Sequence, residues 1–453
     1  MLSSETMEEV GFYSDKVIRL LEELRINVFD IIRVRRVDGL EVEGLLLPRP
    51  QYGDPDVLII KLKNGYNIGV SVDQIEYIKK IGTHLHKPSP RKIIHKPVTE
   101  KRVFIVGTGG TIASRIDYMT GAVYPKFSPE DIYELIPEIR EIATIETIQL
   151  YNIFSEDMTP ENWSKIAELV AELLQSDIEG VVIAHGTDTM GYTAAALSFA
   201  LCNLNSPVIL VGAQRSSDRP STDTALNLIS SLVVATKAPF AEVVITMHAS
   251  VEDNYAVVHR GTRARKMHTS RRDAFRSINS PPLAIVKDRE LKLLVDEYKP
   301  RGGEGPLLIN KFDDKVALIK FYPGMDPELI DILVDKGYHG IVIEGTGLGH
   351  VRGPLVKSIE RGVEEGIAVV MASQCIWGRV NLNVYRRGVE LLRAGVIPVG
   401  DMLAETAFVK LMWVLAQTRD LKEVRKKMLT CYAYEISERS LYEYYPPVLH
   451  FAP

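Results

Sequence analysis

Hydrophobic positions follow a strand-then-helix rhythm through most of the chain. Amphipathic stretches such as 160–176 and 222–238 separate short, continuous apolar runs. These runs are 103–106, 181–184, 207–213, 242–247, 316–321, 340–345 and 367–372. Such alternation predicts an α/β fold with parallel sheets flanked by helices. Because the rhythm pauses around 270–315 and then restarts, it predicts a larger α/β domain over 102–300 and a smaller one over 301–425.

The first hundred residues follow a different pattern. Short β-branched runs are punctuated by Asp38-Gly39 and, further on, by an Asn-Gly pair. Such pairs between β-rich runs are strong hairpin signals. Together with an amphipathic helix at the start of the chain, they predict a small SH3-like β-barrel domain over 1–85. The segment 86–101, rich in Pro and basic residues, is typical of a linker.

Composition narrows the classes of protein. A chain of 453 residues is long enough for two or three domains. Its net charge of −5 offers no broad cationic surface for nucleic acid, so if the protein serves RNA, another chain is expected to bind it. Three widely spaced cysteines without a CxxC pair disfavour a disulfide framework and a zinc site. With no signal-peptide pattern and no long apolar run, we expect a cytoplasmic protein without a membrane span.

A glycine-rich loop follows the first apolar run of the α/β region. Gly107, Gly109 and Gly110 suggest a dinucleotide fingerprint, but Ile112 occupies the place of its third glycine. The chain also lacks a GxxxxGK[ST] loop and a GxSxG elbow. Nucleotide binding by this chain is therefore not predicted.

Isolated cysteine and histidine residues give no further site. Cys375 follows an apolar run and is predicted to be a packed core thiol. His185 and His268 lack the spacing of metal ligands, so local structural roles are predicted for both. No metal site is predicted.

Hydroxyl and carboxylate groups follow two of the predicted strands. Thr111 lies in GTGGTIAS (107–114), and Thr187 and Asp188 lie in HGTDTM (185–190). Residues just beyond the carboxyl ends of parallel strands line ligand sites in open α/β sheets. A threonine nucleophile also needs an activating base or lysine. For either loop alone, helix capping by these side chains remains an equally simple interpretation.

In combination, the two loops closely resemble the signature loops of the bacterial-type L-asparaginase/glutaminase family. Further stretches resemble the same family in the same order: FSEDM (154–158), GAQRSSDRPSTDTALNL (212–228), RARKMHTS (263–270), VIEGTGLGHV (342–351) and VVMASQC (369–375). The resemblance covers about 102–420. It implies an asparaginase-like two-domain core.

The resemblance also implies catalytic roles. Thr111 would attack the side-chain amide carbon of the substrate and form an acyl-enzyme. Thr187 would lie across the substrate, with Lys266 and Asp188 as the relay that activates a hydroxyl or water. This agrees with the chemistry of acyl transfer, which needs a hydroxyl nucleophile and a group that takes its proton.

Substrate-binding roles follow from the same resemblance. Ser155, with Asp188, would hold the α-carboxylate and α-amino groups of the substrate, and Gly110 would lie in the mobile loop. Glu156 stands where a small or amide residue is common in the family, so recognition of the amino group is expected to differ. Tyr118 and Tyr124 both compete for the role of the loop tyrosine.

The order of a small β domain, a linker and an asparaginase core resembles the asparaginase-like subunits of archaeal glutamyl-tRNA(Gln) amidotransferases. This implies release of ammonia from Gln or Asn for a tRNA-binding partner subunit of the GatE type, which converts Glu-tRNA(Gln) to Gln-tRNA(Gln). No cofactor is expected in this chain, whereas ATP and Mg are expected in the partner. A homodimer within a heterotetramer of two plus two chains is expected. The alternative is a stand-alone cytoplasmic L-asparaginase.

The predicted C-terminal tail, 426–453, is rich in aromatic residues. They are Tyr432, Tyr434, Tyr442, Tyr444, Tyr445 and Phe451. Aromatic residues are enriched at interface hot spots, so part of the tail is predicted to dock on a partner subunit or a dimer mate. Packing of the tail against its own core is the alternative.

Overall fold

The computed structural model describes residues 12–49, 53–62, 67–83, 99–110, 114–116, 123–125, 128–215 and 222–445. The chain divides into two compact units. The first consists of 1–96, 113–126 and 215–222, and the second of 97–112, 127–214 and 223–453. Each unit is a separate body in the description that follows.

Among its described residues, the first unit contains a five-stranded antiparallel sheet and one α-helix. The strands are β1 (Asp30–Arg36), β2 (Glu41–Leu47), β3 (Val57–Leu62), β4 (Asn67–Ser71) and β5 (Ile75–Thr83), in the order β4-β3-β2-β1-β5. Gly39 turns between β1 and β2 with a φ of 86°, a left-handed conformation that glycine adopts without steric cost. The predicted Asp38-Gly39 hairpin is therefore present, whereas the Asn-Gly pair lies outside the described residues.

The helix of this unit, α1 (Asp15–Glu23), begins at an N-cap serine. The Ser14 side chain accepts a hydrogen bond from the backbone N–H of Val17, one of the donors that a helix start leaves unpaired. Val17 and Leu21 pack into the apolar interior of the sheet. The unit also contains the antiparallel pair β7 (Ser114–Ile116) and β8 (Val123–Pro125).

The second unit is built on an eight-stranded mixed sheet. Its strands are β6 (Arg102–Gly107), β9 (Thr144–Gln149), β10 (Gly180–Ala184), β12 (Val208–Val211), β13 (Val243–His248), β14 (Ala256–Arg260), β17 (Ala284–Lys287) and β18 (Glu290–Leu293), in the order β18-β17-β14-β13-β12-β10-β6-β9. From β13 to β9 the neighbours are parallel, as predicted. The other edge is antiparallel, because the short connection between β13 and β14 has no room for a crossover helix.

A second, parallel sheet follows in the chain. It comprises β20 (Val316–Lys320), β21 (Gly340–Gly345), β22 (Ala368–Ser373) and β23 (Ile397–Pro398). Two short antiparallel pairs complete the strands: β11 (Leu201–Cys202) with β19 (Leu307–Leu308), and β15 (Ala264–Lys266) with β16 (Phe275–Ser277).

Helices cover both sheets of the second unit. They are α2 (Pro129–Leu135), α3 (Pro160–Leu173), α4 (Met190–Ala200), α5 (Thr224–Lys237), α6 (Glu328–Asp335), α7 (Leu355–Glu364), α8 (Arg386–Arg393), α9 (Ala404–Leu415) and α10 (Leu421–Leu429). Phe199 on α4 stacks on Trp413 on α9 with ring centroids 5.7 Å apart, so the helices of the two sheets share one core. In the described part of the chain, none of the helices combines the length and apolar character needed to cross a membrane.

The described part of the C-terminal tail is fastened to its own core. Lys410 Nζ lies 2.5 Å from Glu435 Oε1, and both side chains are fully buried. Tyr432 packs edge-on against Trp413. The tail therefore packs against its own core around Tyr432 and Glu435. Further along the described tail, Tyr442 and Tyr445 are 87% and 65% exposed.

The prediction for Cys375 is wrong. Its side chain is exposed and it is not a packed core thiol. The apolar strand β22 ends at Ser373, so Cys375 lies in the loop after the strand, where a side chain no longer enters the sheet interior.

Candidate active site

Two neighbouring parallel strands bring the signature loops together. β6 pairs with β10, and both strands end at the same edge of the sheet. Thr108, directly after β6, donates from its backbone N–H and from Oγ1 to the carbonyl of Ala184 at the end of β10, each at 3.0 Å. The buried hydroxyl of Thr108 thus ties the two loops together.

Glycine is required where the first loop crosses its neighbours. Gly109 and Gly110 have φ values of 121° and 85°. A Cβ on Gly109 would lie 2.0 Å from the carbonyl oxygen of Ile153, and a Cβ on Gly110 would lie 2.9 Å from the nitrogen of Gly186. These glycines allow close backbone approach, which accounts for a Gly-rich loop without a dinucleotide fingerprint.

Lys266 contacts two polar residues of the second loop. Its Nζ lies 2.9 Å from Thr187 Oγ1 and 2.9 Å from Asp188 Oδ1. Thr187 is buried and the Lys266 side chain is 14% exposed, whereas the Asp188 side chain is 69% exposed. Lys266 ends β15, where it pairs with Phe275 of β16. The hairpin therefore holds the Lys266 amino group against a buried hydroxyl, with an exposed carboxylate on the other side.

Ser155 lies beside the same loop. It begins a short 3-10 turn, Ser155–Asp157, and is 5% exposed. The Ser155 carbonyl accepts a hydrogen bond from Thr189 Oγ1 at 2.6 Å. A Cβ added to Gly186 would lie only 2.7 Å from the Cβ of Ser155. The structure thus groups Gly110, Ser155 and the Thr187 loop, while Glu156 is exposed to solvent.

His185 supports the second loop from below. Trp163 Nε1 donates to Thr193 Oγ1 at 3.1 Å, Thr193 Oγ1 lies 2.9 Å from His185 Nε2, and His185 Nδ1 lies 2.7 Å from the Gly186 carbonyl. Burial lowers the pKa of His185 to about 4, so the ring is neutral at pH 7. A neutral ring that donates from Nδ1 satisfies both contacts. His185 therefore has the local structural role that was predicted.

His268 also has a local role. Its Nδ1 accepts the backbone N–H groups of Ser270 and Arg271, each at 3.1 Å, in the loop that follows Lys266. Within the described ranges, no group of three or more His, Cys, Asp or Glu side chains could hold a metal ion.

Three predicted residues cannot be placed in this geometry. Thr111 and Tyr118 lie outside the described residues, and for Tyr124 only the backbone, in β8, is described. Thr187, Asp188 and Lys266, which were predicted to form a relay, are in contact through Lys266. Their catalytic roles and that of the predicted nucleophile stay predictions.

One contributor to the site was not predicted from the sequence. Gly212 follows β12, and a Cβ there would lie 2.7 Å from Thr187 Cγ2 and 2.7 Å from Met190 Cε. The signal that could have identified Gly212 is a glycine directly after an apolar strand, β12, which pairs with β10, the strand that precedes Thr187.

Comparisons with known proteins identify the family. The family models described as GatD N-terminal domain, Asparaginase, N-terminal and Glutaminase/Asparaginase C-terminal domain match residues 26–81, 102–298 and 315–428, respectively. The GatD protein of the Thermofilum pendens glutamyl-tRNA(Gln) amidotransferase is 54% identical, over 96% of this chain and 98% of that protein. The corresponding GatD protein from Pyrococcus abyssi is 55% identical, over 95% of this chain and 99% of that protein. The chain belongs to the GatD family.

Solved asparaginases match the core of this GatD family member. The thermostable L-asparaginase from Thermococcus kodakarensis has a TM-score of 0.68 and 38% identity, over 74% of this chain and 99% of that chain. L-asparaginase I from Vibrio cholerae has a TM-score of 0.66 and 31% identity, over 75% of this chain and 100% of that chain. The predicted asparaginase-like core with a small β domain in front of it is confirmed.

Proposed function

We propose that this chain is the ammonia-releasing subunit of a tRNA-dependent amidotransferase, hydrolysing the side-chain amide of Gln or Asn. The observation that carries the proposal is the contact of Lys266 Nζ with both Thr187 Oγ1 and Asp188 Oδ1 at 2.9 Å. A buried hydroxyl in contact with a lysine amino group, which a carboxylate contacts in turn, is a proton relay suited to acyl transfer.

The reaction proceeds in two steps. In the first, the hydroxyl of Thr111 attacks the amide carbon, its proton passes through the relay of Thr187 and Lys266 to the leaving nitrogen, and ammonia departs from the acyl-enzyme. In the second, water gives a proton to the same relay and attacks the ester carbon. The carboxylic acid product leaves, and Thr111 regains its proton. Ser155 and Asp188 orient the substrate, so that the reacting atoms meet at bonding distance.

A stand-alone asparaginase is the second candidate, and the extent of the matches favours the first. Solved L-asparaginases correspond to about three-quarters of this chain, whereas GatD proteins correspond to nearly all of it, including the small β domain. An asparaginase core alone leaves that domain without a function.

The proposed complex divides the chemistry between two chains. A tRNA-binding partner subunit would bind Glu-tRNA(Gln), activate its glutamyl group with ATP and Mg, and accept the ammonia. We place the complex in the cytoplasm, as a homodimer of this chain with two partner chains. The net charge of −5 is consistent with tRNA being held mainly by the partner.

Ammonia release from Gln and from Asn tests the proposal. The full-length chain is assayed alone and with a candidate partner plus Glu-tRNA(Gln). We expect activity that rises when partner and charged tRNA are added. High activity alone, indifferent to both, supports a stand-alone asparaginase. No release of ammonia from either amide, even with partner and charged tRNA, overturns both candidate functions.

Matched variants connect that activity to the site. Thr187→Val keeps the shape of the buried side chain and removes the hydroxyl, so we expect kcat to fall about 100-fold or more. Thr236→Val is the control, because Thr236 is also buried, but in the described part of the chain its hydroxyl bonds only within its own helix, to the carbonyl groups of Leu232 and Val233. Equal activity in the two variants contradicts the proposed relay.

A further inference from the structure

A chain of buried polar residues lies beneath the relay and begins at Thr187. Gly212 packs closely against the Thr187 methyl group, with no room for a side chain of its own. Its carbonyl oxygen accepts a hydrogen bond from Asn227 Nδ2 at 3.0 Å. Asn227 Nδ2 also lies 3.1 Å from Asp223 Oδ2, which accepts the backbone N–H of Gln214 at 2.9 Å. Asn227 and Asp223 are both fully buried. The loop behind Thr187 is therefore held by the first turn of α5.

The other end of the chain holds the hairpin that carries Lys266. Arg272 lies between β15 and β16, and its Nη1 donates to Asp253 Oδ1 at 2.9 Å and to the carbonyl of Val251 at 3.2 Å. Burial would raise the pKa of Asp253, but the hydrogen bond from His248 and the charge of Arg272 hold it below its usual range. An ionised Asp253 thus anchors the lysine-bearing hairpin.

His248 joins the two ends. It is the last residue of β13 and is fully buried. Its Nδ1 lies 2.6 Å from Asn227 Oδ1 and its Nε2 lies 2.9 Å from Asp253 Oδ1. The Asn227 amide is oriented by its other contacts, because Nδ2 faces two acceptors, so Oδ1 must accept from the histidine. Both ring nitrogens of His248 therefore face acceptor oxygens, one of Asn227 and one of Asp253.

We propose that His248 is a positioning residue for the relay, a donor with two arms that sets the spacing between Thr187 and Lys266. This inference rests on the proposed function. Through Asn227 and Gly212 one arm fixes the loop of Thr187, and through Asp253 and Arg272 the other fixes the hairpin of Lys266. Misplacement of a catalytic group by about 1 Å can cost about 100-fold in rate, so a buried brace between the two elements acts directly on catalysis.

Single-arm variants of His248 test the proposal. His248→Asn keeps a donor near the position of Nδ1 and loses the arm to Asp253, whereas His248→Gln keeps a donor near Nε2 and loses the arm to Asn227. We expect each to lower kcat for ammonia release by about tenfold or more, with a smaller effect on KM, because Ser155, one of the two residues that hold the substrate, is not part of the chain. His339→Gln is the control, since His339 also pairs with a buried aspartate, Asp313, but lies outside the elements that carry Thr187 and Lys266.

Three results would overturn the inference. One is unchanged kcat in both His248 variants together with a lower melting temperature, which indicates a purely structural histidine. Another is an Arg272→Ala effect on kcat that multiplies fully with that of His248→Asn, because both changes break the same arm and their effects should then not be independent. The third is a structure of the His248→Gln variant with Lys266 Nζ still 2.9 Å from Thr187 Oγ1, as in the parent.

The same assay separates this inference from the proposed function. If the parent chain releases no ammonia from either amide, or if Thr187→Val retains full activity, the proposed function fails. If the parent is active through Thr187 and both His248 variants keep its kcat, only the positioning role fails.

Discussion

Replacing Gly212 with alanine adds one methyl group directly behind the relay. The new Cβ would lie 2.7 Å from Thr187 Cγ2, 2.7 Å from Met190 Cε and 2.8 Å from the His185 carbonyl oxygen. Carbon atoms pack at about 3.5–4.0 Å, so the overlap with the Thr187 methyl is about 1 Å. The Met190 side chain can rotate away, but the backbone carbonyl cannot, so Thr187 takes up much of the shift.

The shift acts on the hydrogen bond of the relay. Lys266 Nζ and Thr187 Oγ1 are 2.9 Å apart, and a movement of about 1 Å takes them beyond hydrogen-bonding distance. We expect kcat for ammonia release to fall about 100-fold. Overpacking of this buried site should also lower the free energy of unfolding by about 1–3 kcal/mol.

Steady-state ammonia release and chemical denaturation of the Gly212→Ala chain measure both effects. Gly82→Ala is the control, because a Cβ on Gly82 meets no atom of the described residues within 4 Å. Adding Thr187→Ser to Gly212→Ala removes the overlapping methyl group while keeping the hydroxyl, so part of the lost kcat should return. A Gly212→Ala chain with kcat within about twofold of the parent would refute the reasoning.

Three further predictions concern single groups. Burial lowers the pKa of His185 to about 4 and that of His259 to about 3, from 6.5 when exposed. The free energy of unfolding should therefore be highest above pH 6.5 and fall as the pH drops towards 4, by up to about 1.4 kcal/mol per pH unit for each ring. A free energy of unfolding that does not change over this pH range in urea denaturation contradicts this. Lys410→Met leaves the fully buried Glu435 without its cation and should lower the free energy of unfolding by about 3–5 kcal/mol, as measured by chemical denaturation. Adding Glu435→Gln should restore part of this loss. A loss below about 1 kcal/mol in the single variant contradicts the prediction. Lys266→Met should lower ammonia release about 100-fold with the melting temperature nearly unchanged, and retained activity excludes its role in the relay.

Much of the site could be predicted because its residues follow strands. The apolar runs before HGTDTM and GTGGTIAS have the continuous character of buried parallel strands, and the structure places them side by side. The antiparallel edge of the large sheet was not predicted. In the stretch 270–315 the strands are short and partly exposed, so their apolar pattern is weak, and their pairing depends on short connections.

Other features depend on where the chain is packed. The exposure of Cys375 follows from the end of β22 two residues earlier, and an apolar run does not mark its own last residue. The chain from Asn227 through His248 to Asp253 joins a helix, a strand end and a loop. Each of these side chains has an ordinary polar identity in the sequence, and only their mutual distances make a network.

Local periodicity and turn chemistry thus predict the order of strands and helices, and a series of motifs in the right order identifies the family. Spacing in three dimensions is a different kind of information. Lys266 and Thr187 are 79 positions apart in the chain, and their 2.9 Å contact exists because a β-hairpin and a strand end are packed against one core. Contacts of that kind depend on the burial of side chains from many elements at once, which no short stretch of sequence contains.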